Sequence, residues 1–147
     1  MPICKKTFEI PLNVRNPWYI TNFEFDSISE KLDIWLDFER GSKFPCPKCG
    51  KPNCSAYNTK DKVLRHINHF QYTTYLHCRV PRVKCEDCGI LQIKVPWARE
   101  QSGFTLRMET MILNLAKKMP VLQVGKLLGE TDKKFWRVIH HYVGEAR

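Results

Sequence analysis

The sequence lacks any apolar run long enough to cross a membrane, and residues 1–14 contain no apolar segment of the kind found in signal peptides. It also has no heptad array, low-complexity tract or long internal repeat. No cluster of carboxylates stands out as a catalytic centre, since Asp26, Asp33 and Asp37 lie on predicted strand surfaces. These absences argue against a membrane protein, a coiled coil, a solenoid and a nuclease, and we expect a cytoplasmic protein.

Acidic side chains are also scarce relative to basic ones. The chain has 15 Asp and Glu against 24 Lys and Arg, which gives a net charge of +9 at pH 7. Residues 1–40 carry a net charge of −2, residues 41–100 carry +7 and residues 101–147 carry +4. Such a basic surface favours a polyanionic partner, because neutralised phosphates release condensed counterions. The simpler alternative is that the charge only provides solubility.

What is present is enough to build a core, since 43% of the residues are hydrophobic and 12% are aromatic. Residues 1–41 show the period-two alternation of a β-hairpin, with a polar turn at residues 27–30. The side chains expected on its core face are Tyr19, Thr21, Phe23, Phe25, Leu32, Ile34, Leu36 and Phe38. We expect its acidic outer face to be simply solvated.

Residues 42–100 are predicted to form a second, basic β region. Two strands are expected at residues 63–70 and 71–80, with Pro81 breaking the ladder because proline lacks an N–H donor. Arg82 to Cys85 resumes an extended course, and residues 91–95 form a last short strand.

Residues 101–147 change to a helical period. An apolar stripe, Thr105 as a possible N-cap, Pro120, Gly129 and Asp132 together predict three helices. The stripe of the first helix comprises Met108, Met111, Ile112, Leu115 and Met119. The expected fold class is therefore α+β, with a β-hairpin and a second β domain followed by a three-helix unit.

Two copies of the pattern CxxCG carry the clearest chemistry in the sequence. Cys46 and Cys49 form one pair, Cys85 and Cys88 form the other, and each pair is followed by glycine. Two such turns supply four thiolates for one tetrahedral, structural Zn²⁺, and the glycine suits a positive φ. In a reducing cytoplasm the seven cysteines favour metal binding over disulfides. Redox CxxC pairs or unrelated buried thiols are the alternatives, but no βαβ pattern accompanies the pairs. Residues 42–100 are therefore expected to form a zinc-ribbon-like β domain.

The other cysteines and the histidines fit this site less well. Cys54 lies close enough in sequence to replace Cys49, whereas Cys78 shares a strand face with apolar residues and is expected in the core. Cys4 lies near the N-terminus. The histidines His66, His69 and His77 are expected at the surface or on phosphates, because four better-spaced cysteines already satisfy the metal.

The last two predicted helices have the pattern of a helix-turn-helix. Gly125 supplies a small residue where two helices touch, Gly129 lies in the turn, and Phe135 and Val138 anchor the second helix. Arg79, Arg82 and Lys84 of the β region are expected to hold phosphates. The residues expected on the DNA-facing side of the last helix are Lys133, Lys134, Trp136, Arg137, His140 and His141. A bundle with a solvated charged face is the alternative.

Nearly the whole chain resembles the N-terminal region of insertion-sequence transposases of the ISL-three type. The stretches that carry this resemblance are PWYITNFEFD, LDIWLDFERGSKFPCPKCG, LRHINHFQYTTYLHCRVPRVKC, VPWAREQSGFT and LAKKMPVLQVGKLLGETDKKFWRVIHHYV. It implies a zinc finger, with ligands at Cys46, Cys49, Cys85 and Cys88, and a helix-turn-helix that bind terminal inverted repeats. Many relatives have His at the fourth position. The family's Asp/Asp/Glu catalytic domain would follow Arg147, so the resemblance implies DNA binding without cleavage.

The resulting hypothesis is a zinc-dependent DNA-binding module of a transposase, holding one structural Zn²⁺ and located at the nucleoid. Its expected partner is duplex DNA, and homodimer formation is left open. The alternatives are a stand-alone regulator or inhibitor derived from a transposase, and an RNA-binding zinc ribbon.

Overall fold

The computed structural model describes Leu12 and residues 14–145, so that Cys4 lies outside the described residues. The chain divides into two compact units, residues 1–105 and residues 106–147. The first unit holds strands and the second holds helices, which confirms the α+β prediction. The elements in chain order are β1 Trp18–Asp26, β2 Lys31–Phe38, β3 Lys43–Phe44, β4 Cys54–His69, β5 Tyr72–Cys85, β6 Gly89–Gln92, α1 Leu106–Ala116, α2 Val121–Leu128 and α3 Asp132–Glu145.

The strands form one six-stranded sheet in the order β1-β2-β5-β4-β3, with β6 also paired to β5. Strand β2 runs parallel to β5, and its residues 31–36 pair with residues 73–78. The predicted hairpin region 1–41 and the ribbon region 42–100 therefore share a sheet within one compact unit.

The hairpin is present as predicted, but the face assigned to its first strand is wrong at the start. Tyr19 is 40% exposed and Thr21 is exposed, whereas Ile20 is 1% exposed. A bulge explains the reversal: Ile20 pairs with Leu36 and Asn22 with Trp35, which leaves Thr21 as the extra residue. An inserted residue moves the following side chains to the opposite phase. Phe23 and Phe25 consequently pack against the same core as Trp18 and Ile20.

The prediction that Pro81 interrupts the second strand is also wrong, because β5 continues through it to Cys85. The carbonyl oxygen of Pro81 accepts a hydrogen bond from the Ile93 N–H at 3.1 Å. In a strand the N–H and C=O of one residue point to the same edge. The missing donor of Pro81 therefore faces away from β4, at the point between the last β2 pair, at Cys78, and the first β6 pair, at Arg82, and the pairing of Pro81 with Thr59 of β4 loses no bond.

The other strand limits also differ from those expected. Strand β4 begins at Cys54, nine residues before the predicted start at Val63, and β6 ends at Gln92. Ile93 is buried just beyond that end.

The core of the sheet unit lies on the face predicted for β2 and β5. Leu32, Ile34 and Leu76 are fully buried, and Cys78 is 2% exposed among them. Trp97 covers this face and packs edge-on against Trp18, with ring centroids 5.0 Å apart. Burial raises the pKa of Cys78 to about 12, as expected for a thiol that serves as a small core residue.

The helical unit has the three predicted helices, with one unexpected feature in its core. Met108 and Ile112 of α1 are fully buried as the apolar stripe predicts, but so is Glu109. Its carboxylate accepts a hydrogen bond from the Tyr142 hydroxyl of α3 at 2.9 Å. This bond satisfies a buried charged group that the apolar pattern did not predict.

Candidate metal centre and nucleic-acid interface

Each CxxCG motif lies at the end of a strand pair in the sheet unit. Cys46 and Cys49 belong to the connection between β3 and β4, and Cys85 and Cys88 to the turn between β5 and β6. The glycines that follow, Gly50 and Gly89, have φ values of 77° and 82°. These values confirm the prediction that both turns need a residue free to adopt a left-handed backbone.

The two turns bring their four cysteines together. The Sγ atoms of Cys46, Cys49, Cys85 and Cys88 all lie within 4.8 Å of one another, and those of Cys49 and Cys85 are 3.6 Å apart. A tetrahedral Zn²⁺ with bonds of about 2.3 Å separates its sulfurs by about 3.8 Å. The group therefore fits one zinc ion with no ligand position left open, which is the arrangement of a structural site.

The electrostatics of the four sulfurs also favour binding of a cation. Backbone N–H groups of Cys49 and Lys48 donate to the Cys46 sulfur and lower the pKa of Cys46 to about 6. Hydrogen bonding with Cys49 and burial raise the pKa of Cys88 to about 12. Thiolates this close repel one another unless a positive ion lies between them. A bound Zn²⁺ would keep all four deprotonated and tie the two turns together.

Cys54 lies outside this group of four sulfurs. It is buried, and its thiol donates to the carbonyl oxygen of Lys51 at 3.5 Å. Burial, followed by the nearby sulfurs, raises the pKa of Cys54. The structure therefore groups Cys49, and not Cys54, with the other three sulfurs.

The histidines of the sheet unit have other partners. His77 Nε2 lies 2.7 Å from an Asp33 carboxylate oxygen, and its ring stacks on Trp35 with centroids 5.0 Å apart. His66 Nδ1 lies 2.7 Å from the Thr105 hydroxyl, and His69 packs against Phe25. Contact of these histidines with phosphates stays a prediction.

The sequence suggested that the acidic outer face of the hairpin is simply solvated, but two of its carboxylates have partners in the sheet. Asp33 contacts His77, and Asp37 accepts a hydrogen bond from Arg79 at 2.9 Å. Arg79 also lies over the Phe38 ring, 5.9 Å from its centroid. Of the three expected phosphate-binding residues of β5, Arg79 is thus ion-paired, whereas Arg82 is half-buried and Lys84 is exposed. No pattern in the sequence predicts these pairs, since they depend on the parallel β2–β5 register.

The turn between α2 and α3 is built as predicted. Gly129 has a φ of 74° and ends α2, and the Glu130 N–H donates to the Gly125 carbonyl oxygen at 3.0 Å. A Cβ atom at Gly125 would lie 2.8 Å from the Glu130 carbonyl oxygen, closer than real Cβ atoms come. Val124, Phe135 and Val138 are fully buried or nearly so beside this turn. The small residue, the turn glycine and the apolar anchors are all where a helix-turn-helix needs them.

The six polar or aromatic residues expected on α3 fall into two groups. Lys134 is paired with Glu130 at 2.9 Å, and His141 Nε2 lies 3.2 Å from a Glu145 oxygen. The other four are exposed and follow one face of the helix at a spacing of three or four residues. Trp136 and His140 stack with centroids 5.7 Å apart, and no ion pair of a described residue engages the cations. We call this set the α3 stripe, namely Lys133, Trp136, Arg137 and His140.

The geometry defines a class of protein: a four-cysteine zinc ribbon followed by a helix-turn-helix, which is a DNA-binding architecture. Residues 42–88 match the family model described as the zinc-finger of transposase IS204/IS1001/IS1096/IS1165. Residues 93–143 match the model of the helix-turn-helix domain of transposase family ISL3. The chain therefore carries the zinc-ribbon and helix-turn-helix domains of the ISL3 transposase family. Searches of curated proteins and of solved structures found no significant match.

Both family models describe DNA-binding domains, and neither describes the catalytic domain of the transposase. Among the described residues, no helix combines the length and the apolar character needed to span a bilayer.

Proposed function

We propose that the chain recognises the terminal inverted repeats of its transposon, with α3 in the major groove of duplex DNA. The observation that carries this proposal is the α3 stripe. It lies on the opposite side of the helix from the buried Phe135 and Val138, and its cations have no ion pair with a described residue. A helix face that is basic, exposed and held by a tight turn is what groove insertion needs.

Within the stripe, the residues take different roles. Arg137 is the base-reading residue, because a guanidinium bonds guanine O6 and N7 bidentately. Lys133 and His140 hold phosphates on either side of it. Trp136 stacks on the His140 ring and keeps it directed outward. Lys134 contributes less, since Glu130 neutralises it.

The zinc site serves this function by holding the sheet unit in shape. Exposed Lys84 and half-buried Arg82 lie on β5 directly before the second cysteine pair, and we assign them to the DNA backbone. Arg79 can join them only if its pairing with Asp37 is given up. The proposal concerns binding alone, because both matched domains are DNA-binding domains.

Selection from a random duplex library with the zinc-loaded protein tests the proposal. We expect one enriched motif that also occurs as inverted copies at the two ends of the element encoding the chain. Failure to enrich a motif, or a motif without inverted copies there, would contradict recognition of terminal repeats.

Arg137→Ala should then weaken binding to the selected duplex by about 1–3 kcal/mol and binding to a scrambled duplex by much less. Lys134→Ala is the matched control, since it removes a neighbouring cation that is already paired. Equal losses on both duplexes would reassign Arg137 to a phosphate contact.

A further inference from the structure

A cleft of about 570 Å³ lies beside the first cysteine turn of the sheet unit. Four separate parts of the chain line it: the turn at Pro47 and Lys48, strand β4, the segment around the end of β6, and residues 100–101. Four of its ten lining residues are lysines and one is an acid. These five are Lys48, Lys60, Lys62, Lys94 and Glu100.

None of these lysines forms an ion pair or hydrogen bond through its side chain with a described residue. Lysines elsewhere in the sheet unit are engaged: Lys31 lies near Asp33, Lys43 contacts Ser55, and Lys51 binds Glu86 at 3.1 Å. The cleft therefore concentrates the unneutralised positive charge of this unit, which attracts a polyanion.

Edge protection accounts for part of this arrangement. Around Lys60 and Lys62, β4 pairs only with β5, since the short β3 reaches no farther along β4 than Ser55. Charged side chains on such an edge discourage pairing with other chains. Edge protection does not require Lys48 and Lys94, which come from outside β4 and face the same cleft.

The lining also indicates which part of a nucleic acid would bind. None of its described residues is aromatic, so it offers no platform for stacking an unpaired base. Its remaining polar groups are the amides of Gln92 and Gln101, which can donate to phosphate oxygens. A cleft of lysines and amides can bind the phosphodiester backbone, and such contacts do not distinguish one base sequence from another.

We infer that this cleft binds the sugar-phosphate backbone of duplex DNA and supplies a sequence-independent part of the affinity. The inference rests on the proposed function, because it assumes that the chain binds duplex DNA, but it names a surface other than α3 and residues other than Arg82 and Lys84.

The test measures binding of the zinc-loaded chain to random duplex DNA over a range of salt concentrations. A triple variant carries Lys60→Gln, Lys62→Gln and Lys94→Gln. Lys48 is left intact because it lies within the first cysteine turn, where its backbone N–H donates to the Cys46 sulfur. The matched control carries Lys31→Gln, Lys43→Gln and Lys51→Gln, which removes the same charge from engaged positions. Zinc content and thermal unfolding are compared with the parent.

The slope of log K against log salt is negative, and each lost phosphate contact should reduce its magnitude by about 0.9. The triple variant is expected to lower the magnitude of this slope by about 2.7, with equal losses on selected and random duplexes, and the control by much less. A triple variant with the slope of the parent overturns the inference. So does a loss confined to duplex RNA.

A gain of affinity gives a second test that misfolding cannot imitate. Glu100→Gln removes the one acid of the cleft and should tighten binding to random duplex several-fold at low salt. Glu24→Gln, an equal change on exposed β1, is the control. Equal effects of the two substitutions overturn the inference.

The two proposals fail in different ways. If the lysine variant loses slope but the parent selects no motif, the cleft stands and recognition of repeats fails. If the parent selects a motif and the slope is unchanged, only the cleft fails. Absence of all DNA binding at low salt overturns both.

Discussion

The amide N–H of Glu130 donates a hydrogen bond to the carbonyl oxygen of Gly125 at 3.0 Å, which closes the turn between α2 and α3. The contact is so close that a Cβ at Gly125 would lie 2.8 Å from the Glu130 backbone oxygen. Because backbone cannot move aside as a flexible side chain can, the helix crossing depends on glycine at this position.

Gly125→Ala should therefore destabilise the protein by about 1–3 kcal/mol despite the higher helix propensity of alanine. Gly144→Ala is the control, since Gly144 also lies in a helix but a Cβ there meets nothing within 4 Å. That substitution should be neutral or stabilising. Chemical denaturation monitored by circular dichroism measures both, and equal stabilities would contradict the close approach.

Removal of zinc should unfold the cysteine end of the sheet unit, because four sulfurs within 4.8 Å of one another would be left without the cation between them. Specific DNA binding should be lost at the same time. Thermal unfolding before and after complete chelation, followed by addition of Zn²⁺ or Mg²⁺, is the measurement. Restoration is expected with Zn²⁺ only, and an unchanged melting temperature without metal would refute a structural role.

Cys49→Ser and Cys54→Ser should behave differently although the two residues are five positions apart. Cys49 belongs to the group of four sulfurs, whereas Cys54 bonds the Lys51 carbonyl oxygen outside it. We expect less than one zinc per purified chain for Cys49→Ser and one zinc per chain for Cys54→Ser. A metal assay on unfolded protein decides, and a zinc deficit in the Cys54 variant would make it a ligand.

Asp37→Asn should release Arg79 for binding to DNA, because Asp37 accepts its hydrogen bond at 2.9 Å. Affinity for random duplex is expected to rise several-fold at low salt, and the salt slope to steepen by about one contact. The stability should change by no more than about 1 kcal/mol, since Arg79 is exposed. Glu24→Gln is the control for the lost negative charge, and similar affinities for the two variants would place Arg79 away from DNA.

The features predicted best are those with local causes. The CxxCG repeats led to the four-sulfur group and to two positive-φ glycines, Gly50 and Gly89. The spacing of Gly125, Gly129 and Phe135 likewise led to the helix-turn-helix. Each of these depends on a few neighbouring residues whose chemistry allows few conformations.

The errors concern features that depend on a partner strand. The extra residue at Thr21 is visible only against β2, where the register passes from Ile20 to Asn22 without pairing Thr21. Pro81 is tolerated because its missing N–H donor faces away from β4, between the last β2 pair and the first β6 pair. Hydrophobic period and proline content describe a strand alone, and so they predict neither.

The sequence by itself determined the two CxxCG cysteine pairs, the α+β class, the helix-turn-helix and the resemblance to the transposase family, because each follows from residues close together in the chain. Only the tertiary structure decided which basic residues are available to a partner. Arg79 meets an acid 42 positions away and Lys134 meets one four positions away, whereas the lysines of the cleft come together from three segments and form no ion pair with a described residue. Charge counts along a chain do not show pairing, because pairing depends on distances that folding sets.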